Sequence, residues 1–473
     1  MKNSTRRDFL KATALTSAGV LFPSLLHAAA KPLSKRPPNF LFIFIDDMGW
    51  ADVGYNHNKF VETPNIDALA ASGVVFTNAY SNAPNCAPSR ACLMSGGYTP
   101  RHGIYTVGRS ERGKSHNRKL IPTKNTTWLD PKVVTIAEAL KPSGYVCGHF
   151  GKWHLGSDKK QVDGISTDPG SQGFDDVLVT QRASKKAKTD AHHVAQITDR
   201  AVNFMKNNAD KPFFCYVAHN TIHSPLLEEA ALIAKYKAKS QNPPNSPVIA
   251  AMIETLDKNV ARLLKSLDDL NIADNTVVFF FSDNGGVFGF SDMGPLRGGK
   301  GMLYEGGVRE PMIVRYPGVT KAGTKCDVPV MGIDFYPTIL DVANAPKPSG
   351  QILDGKSFLP LLKGRKNLDR KAIFWHFPAY LEGNYGWKHT WRTTPAGAVR
   401  AGDWKLIEYF EDGRLELYNL KNDVGEKNNL AEKMPAKTEE LHNLLKNWRR
   451  SLNAPVPKIL NPLYNPNLEP KRL

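Results

Sequence analysis

The chain has 473 residues, 41% hydrophobic and 23% charged, with a formal charge of +17. That composition is ordinary for a globular protein, and the absence of an internal repeat at solenoid period excludes a repeat array. The five cysteines are odd in number, widely spread and form no C-x-x-C pair, which argues against both a disulfide framework and a structural zinc site.

The basic charge favours a polyanionic partner. No recognisable nucleic-acid-binding motif accompanies it, so an anionic polysaccharide is expected and nucleic acid is not. Residues 1–30 read as a targeting segment. Ser4-Thr5-Arg6-Arg7-Asp8-Phe9-Leu10-Lys11 resembles a twin-arginine export signal, a weakly apolar run follows, and Ala28-Ala29-Ala30 offers a cleavage site. No later segment has the roughly 18 continuous apolar residues of a membrane span. The expected location is periplasmic or secreted.

From Asn39 to Ile45 the chain is continuously apolar and ends at Asp46-Asp47. Phe213–Ala218 ends at His219-Asn220, Val277–Phe281 leads to Asp283-Asn284, and Pro311–Pro317 is a weaker run. Such runs predict strands buried on both faces of a parallel sheet. Helical patterns lie between them. Thr63 with Pro64, and Thr135, are expected N-caps, and amphipathic spacing predicts helices over 195–205 and 250–270. The predicted fold is α/β, a large, mostly parallel sheet flanked by helices, over residues 36–370. Short strands near 372–377, 398–400, 404–407 and 415–418, then a helix over 436–452, predict a small antiparallel sheet plus helix over residues 371–473.

Asp46, Asp47, Asp283 and Asn284 all follow buried strands, where open α/β sheets collect functional groups. Three carboxylates and one amide oxygen make a hard, anionic cluster suited to Ca²⁺ or Mg²⁺. In Asn85-Cys86-Ala87-Pro88-Ser89-Arg90, Pro88 is expected at the first helical position. Cys86 then lies just before a helix N-terminus, which favours an anion, and Arg90 points back to it.

Cys86-x-Pro88-Ser89-Arg90, followed by Ser95-Gly96-Gly97-Tyr98-Thr99-Pro100-Arg101-His102-Gly103, resembles the signature of the type I, formylglycine-dependent sulfatases of the alkaline-phosphatase-like superfamily. Gly151-Lys152-Trp153-His154-Leu155-Gly156, His223-Ser224-Pro225, Ser282-Asp283-Asn284-Gly285-Gly286 and the 296–311 segment with Lys300 match further family segments in order. One departure stands out. The family carries T-G-R or T-G-K where this chain has Ser95-Gly96-Gly97, so a positive charge near the sulfate is expected to be missing.

The resemblance implies one Ca²⁺ held by Asp46, Asp47, Asp283 and Asn284 together with the group at position 86, and conversion of Cys86 to 3-oxoalanine (formylglycine) by a separate maturase. The hydrated aldehyde would attack the sulfur of a sulfate ester. Arg90 would orient it, Lys152 and Lys300 would neutralise the sulfate oxygens, His223 would protonate the leaving oxygen, and His154 would accept a proton from the second hydroxyl. His102, His149, His192, His193, Arg101, Arg109 and His376 are further possible substrate contacts. A sulfated carbohydrate is the expected substrate, with a carrageenan-like galactan preferred. Two other readings remain open: a phosphonate monoester or phosphodiester hydrolase of the same superfamily, and a non-catalytic binder of sulfated glycans.

Overall fold

The computed structural model describes residues 36–180, 183, 189–383 and 389–472. The leader expected over residues 1–30 lies outside these. Strand β1, Asn39–Ile45, is buried along its whole length. Its side chains alternate between two cores. Phe40, Phe42 and Phe44 enter one, and Leu41, Ile43 and Ile45 the other. That is why the run shows no polar alternation in the sequence.

Seven further strands complete the sheet: β2 Val74–Phe76, β3 Val146–Gly151, β4 Asp176–Val179, β5 Phe213–His219, β6 Thr276–Ser282, β7 Met312–Arg315 and β8 Thr324–Cys326. Their order is β8-β2-β7-β6-β1-β5-β3-β4. Pairing is parallel throughout except on the two sides of β7, which runs antiparallel to β6 and β2. The 311–317 run is therefore a strand, but a reversed one. Strand β3 has no apolar run to announce it, because Gly148, His149 and Gly151 interrupt it.

Helices cover both faces. On one, α1 Pro64–Ser72, α4 Val194–Asn207 and α5 Pro247–Asp269 bury Ile66, Leu69, Ile197, Ala201, Ile253 and Val260 against the Leu41–Ile43–Ile45 side. On the other, α2 Cys86–Ser95, α3 Ile136–Leu140 and α6 Phe335–Ala343 meet the Phe40–Phe42–Phe44 side. Thr135 caps α3 in a full capping box with Glu138. Thr63 occupies the N-cap of α1 without a capping hydrogen bond. Its hydroxyl accepts from Gly54 N and donates to Asp67.

Strands β9 Ile373–Phe377, β10 Ala396–Ala401, β11 Trp404–Tyr409 and β12 Leu415–Asn419 form an antiparallel sheet in that order. Helix α7, Pro435–Ser451, packs Leu441 and Leu445 on Val399, Leu406 and Leu417. The opposite face, with Trp375, Ala398 and Ile407, packs on Tyr80, Met302, Tyr304 and Val308. The small sheet thus braces the segment that carries Lys300. The described residues form one compact unit. No described helix is long and apolar enough to cross a membrane.

Candidate active site

Four adjacent parallel strands, β6-β1-β5-β3, end at one edge of the sheet, and the chain leaving each carries polar groups to the same place. Asp46 and Asp47 follow β1, Asp283 and Asn284 follow β6, Lys152 and His154 follow β3, and His223 lies just beyond β5. This is the position where open α/β sheets bind ligands. Asp47 has φ 68 and His154 φ 65. Neither is glycine, so the left-handed backbone is held by its surroundings, as is common at functional sites. Asp47 N donates to Asp283 Oδ1 at 3.2 Å, and Met48 N to Ser282 Oγ at 3.0 Å, tying the β1 turn to the β6 turn.

Helix α2 points its N-terminus into this cluster. It begins at Cys86 with Asn85 as N-cap, two residues earlier than expected. Pro88 is therefore third in the helix, still within the first turn where no N–H is needed for the helix ladder. Cys86 Sγ lies 3.3 Å from Asp46 Oδ1, 3.7 Å from Asp47 Oδ1 and 3.3 Å from Lys300 Nζ. Arg90, one turn on, is 1% exposed. Its Nε and Nη2 donate to Asp283 Oδ2 at 2.9 and 2.7 Å, and its Nη1 donates to Lys152 O at 3.1 Å. The guanidinium also sits 4.9 Å over the Phe44 ring. Arg90 therefore locks the metal-type loop after β6 to the loop bearing Lys152.

Each lysine meets one aspartate. Lys152 Nζ is 2.5 Å from Asp46 Oδ2, and Lys300 Nζ is 2.6 Å from Asp47 Oδ2. Burial opposes charge on all three aspartates, but the outcome differs. Lys152, His223, Arg90 and Lys300 together outweigh burial at Asp46 and hold it well below the usual carboxylate range. Lys300 and His223 likewise outweigh burial at Asp47 and lower it. At Asp283 burial prevails over Arg90, and the group is pushed up to about 7. Burial, with Asp46 adding to it, pushes the Cys86 thiol up as well. His223 is lowered by the charge of Lys300 and by burial. Its Nδ1 lies 2.7 Å from Ser224 O, which requires the proton on Nδ1 and turns Nε2 toward Asp47 Oδ2 at 3.8 Å. His154 is held well below its usual value by burial, then by Lys152 and Arg90, and its buried Nδ1 has no hydrogen-bond partner.

The donor set fits a hard divalent cation. Ligand atoms of Asp46, Asp47, Cys86 and Asp283 all lie within 4.8 Å of one another. Asn284 Nδ2 donates to Asp47 Oδ1 at 2.8 Å and to Gly285 O at 2.9 Å, which leaves its buried Oδ1 without a partner in the same cluster. A buried, unpaired oxygen beside three carboxylates is costly unless a cation collects them. The ten residues given a metal or catalytic role by the resemblance thus reach one cluster.

The missing charge at Gly97 does not thin this pocket. Gly97 follows the C-terminal end of α2, a ten-residue helix and so about 15 Å from Cys86 at its start. Arg101 fills that corner instead and pairs with Asp354 at 2.6 Å. Several other histidines have structural surroundings. His149 is fully buried among Trp153, Phe174 and Tyr216, and His376 bonds Pro455 O at 2.8 Å. His192 lies 3.0 Å from Pro225 O. Two arginines beside the site carry no motif. Arg112, half-buried, is lowered by its burial and lies within electrostatic reach of position 86. Arg392 Nη1 donates to Lys300 O at 3.3 Å. Only the tertiary fold brings them there.

A family model described as sulfatase matches residues 38–345, and one described as the C-terminal part of N-sulphoglucosamine sulphohydrolase matches residues 298–452. A sulfatase of Formosa agariphila is 33% identical over 92% of this chain and 93% of its own length. Human arylsulfatase A is 29% identical, covering 89% of each chain. The crystal structure of Ps i-CgsB superposes with a TM-score of 0.73 at 28% identity over 87% of this chain and 93% of that one, and the same protein is solved in complex with k-i-k-neocarrahexaose. The chain therefore belongs to the sulfatase family of the alkaline-phosphatase-like superfamily, whose members are sulfuric ester hydrolases that use a formylglycine and a metal ion.

Proposed function

We propose that this enzyme removes sulfate from a sulfated polysaccharide or its oligosaccharides, using a formylglycine hydrate made from Cys86 and one Ca²⁺ held by Asp46, Asp47, Asp283, Asn284 and the residue at 86. The observation that carries the reading is Cys86 Sγ within 3.3 Å of both Asp46 and Lys300, at the head of a buried helix. An unmodified thiol there, held protonated by burial and by Asp46, is poorly suited to act as a thiolate nucleophile. Conversion to an aldehyde, by a maturase encoded elsewhere, removes that difficulty. The cation supplies a Lewis acid for a sulfate oxygen.

The remaining work falls to side chains of this chain. Lys152 and Lys300 reach the cluster from opposite loops and neutralise charge on the sulfate oxygens. Arg90 fixes Asp283 and the Lys152 loop. His154, kept neutral, is suited to accept a proton. His223 must be an imidazolium to protonate the leaving oxygen, because its neutral form carries its proton on Nδ1 toward Ser224 O. A bound sulfate offsets the charge of Lys300 that otherwise disfavours that form.

For the substrate, a carrageenan-like galactan is preferred, supported by the likeness to Ps i-CgsB and its complex with k-i-k-neocarrahexaose. The twin-arginine-type leader supports export to the periplasm or beyond. The test is sulfate release, with calcium, from carrageenan, ulvan, fucoidan, chondroitin, heparan and aryl sulfates, alongside mass spectrometry of the Cys86 peptide. Release from one glycan that disappears in Cys86→Ala is expected. No release from any sulfate ester by protein with a converted Cys86 overturns the proposal and turns attention to phosphonate and phosphate diesters.

A further inference from the structure

The loop over residues 104–113 stands beside the nucleophile position. Asn85, the N-cap next to Cys86, donates from Nδ2 to Thr106 Oγ1 at 3.1 Å. Asn125 pins the same loop: its Oδ1 accepts from Tyr105 N at 2.7 Å and Thr106 N at 3.1 Å, and its Nδ2 donates to Thr106 O at 3.0 Å. Further along, Arg118 Nη1 donates to Glu111 O at 3.1 Å and Arg112 O at 3.2 Å. Asn461, from the C-terminal tail, donates to Arg118 O at 2.8 Å. The backbone that carries Arg112 is therefore held on both sides of it.

Arg112 differs from the other cations of the site. Arg90, Lys152 and Lys300 each meet an aspartate. Arg112 Nη2 donates to Val107 O, and the side chain makes no ion pair among the described residues. It is half-buried, and burying an unpaired guanidinium is costly unless a ligand brings it oxygen acceptors. The charged positions within its electrostatic reach are 86 and Glu382.

Glu382 comes from the hairpin of Leu381–Glu382 and Thr390–Thr393, where it sits opposite Trp391. It is exposed and likewise forms no ion pair among the described residues. Its backbone oxygen accepts from Arg392 Nε at 2.7 Å, and the same guanidinium donates to Lys300 O at 3.3 Å, so one side chain ties the Glu382 backbone to the lysine that touches Cys86. Gly113, next to Arg112, packs so closely on this hairpin that a Cβ there would come within 2.7 Å of Trp391 and 2.8 Å of Glu382 Oε1. Two remote segments thus bring a donor fork and a carboxylate acceptor together beside Cys86. A guanidinium donates N–H groups and a carboxylate accepts from O–H groups. Side by side and unpaired, they match neighbouring hydroxyl groups of a sugar. A second anion would be repelled by Glu382, and an aryl ring offers neither donor nor acceptor.

We propose that Arg112 and Glu382 determine specificity by hydrogen-bonding adjacent hydroxyl groups of the sugar that carries the scissile sulfate, Arg112 as donor and Glu382 as acceptor. The inference rests on the sulfated-carbohydrate reading above and names the side chains that tell a sugar from another sulfated alcohol.

The test compares kcat/KM for 4-nitrophenyl sulfate with kcat/KM for the glycan of the panel above that the wild type desulfates fastest, in Arg112→Gln and Glu382→Ala, with conversion of Cys86 checked in each protein. The ratio of the glycan value to the aryl value is expected to fall about tenfold in Arg112→Gln, chiefly through KM, and about threefold in Glu382→Ala. Glu382 is exposed, so its variant guards against a folding defect in the first. Ratios unchanged in both variants overturn the proposal, and a fall in one variant alone overturns the paired reading. A wild type that desulfates the aryl ester and no glycan also overturns it. Release from neither kind of ester by converted protein sinks the reaction itself, so the two failures remain distinct.

Discussion

Lys405 Nζ lies 2.9 Å from Glu305 Oε1, and neither side chain has any exposure to solvent. The same ammonium lies 3.0 Å from Glu426 Oε1, while Glu426 Oε2 accepts from Glu305 N at 2.6 Å. One lysine of the C-terminal sheet therefore holds two carboxylates, one of them five residues beyond Lys300. The small sheet is fastened to the catalytic segment by a buried charge cluster as well as by the apolar face around Trp375 and Tyr304.

That cluster predicts a pH dependence of stability. Two carboxylates share one ammonium, so only one ionises easily. Burial opposes charge on Glu305, but Lys405, Arg309 and Arg400 outweigh it and lower the group to about 2. Burial, partly offset by Lys405 and then reinforced by Glu305, raises Glu426 to about 7. A raised carboxylate binds its proton more tightly in the folded chain than in the unfolded one. Its contribution is full below the unfolded value of about 4.3 and is lost as pH rises through about 7. Melting temperature of the wild type between pH 5 and 8 should thus fall more steeply than that of Glu426→Gln, which keeps the acceptor for Glu305 N and carries no proton to lose. Parallel curves for the two proteins would sink this account.

Calcium should act on stability as well as on activity. Asp46, Asp47, Asp283 and Asn284 Oδ1 form a buried donor set in the folded chain only, so a cation that binds there favours folding by mass action. Chelator-treated protein, titrated with Ca²⁺, should show a rising melting temperature that saturates, with a gain of about 2.7 kcal/mol once calcium reaches a hundred times its dissociation constant. Asp283→Asn should remove most of the response. It breaks the ligand set but keeps a side chain that can accept from Arg90, so the protein should still fold. A wild-type melting temperature indifferent to millimolar calcium would exclude the site.

The parts of this architecture legible in the sequence are those written in continuous stretches. Phe40–Ile45 and Val277–Phe281 are apolar at every position because both faces of their strands are covered, and the acidic pairs that follow them stand out against that run. Cys86 to Arg90 is one short local segment, so spacing alone puts Arg90 one turn from the cysteine, although the helix starts two residues earlier than Pro88 suggests. Strand β3 was hidden because two glycines and a buried histidine replace the aliphatic side chains a strand normally shows. Arg112 and Arg392 were hidden for a different reason. Each reaches the site from a segment remote in sequence, and a surface arginine there has no local pattern to mark it. The triad of Lys405, Glu305 and Glu426 likewise spans more than a hundred residues of chain and has no spacing rule.

The glycine at position 97 gives the last prediction, and it is a negative one. Sequence comparison with the family pattern makes Gly97 look like a lost cation of the sulfate pocket. In the fold it follows the C-cap of helix α2, while Cys86 opens that helix, and a side chain there would point among Ser95 and Arg101 instead of the nucleophile. A Cβ at this position would come within 3.1 Å of Arg101 Cδ, part of a flexible and partly exposed side chain that can give way. Gly97→Arg, which restores the family residue, should therefore leave kcat and KM for an aryl sulfate within about twofold of wild type, with at most a small fall in melting temperature from like-charge contact with Arg101. A tenfold gain in kcat/KM, about 1.4 kcal/mol of transition-state binding, would mean that the new guanidinium reaches the sulfate after all and that the path from the C-terminal end of α2 to the reaction centre is shorter than this fold allows.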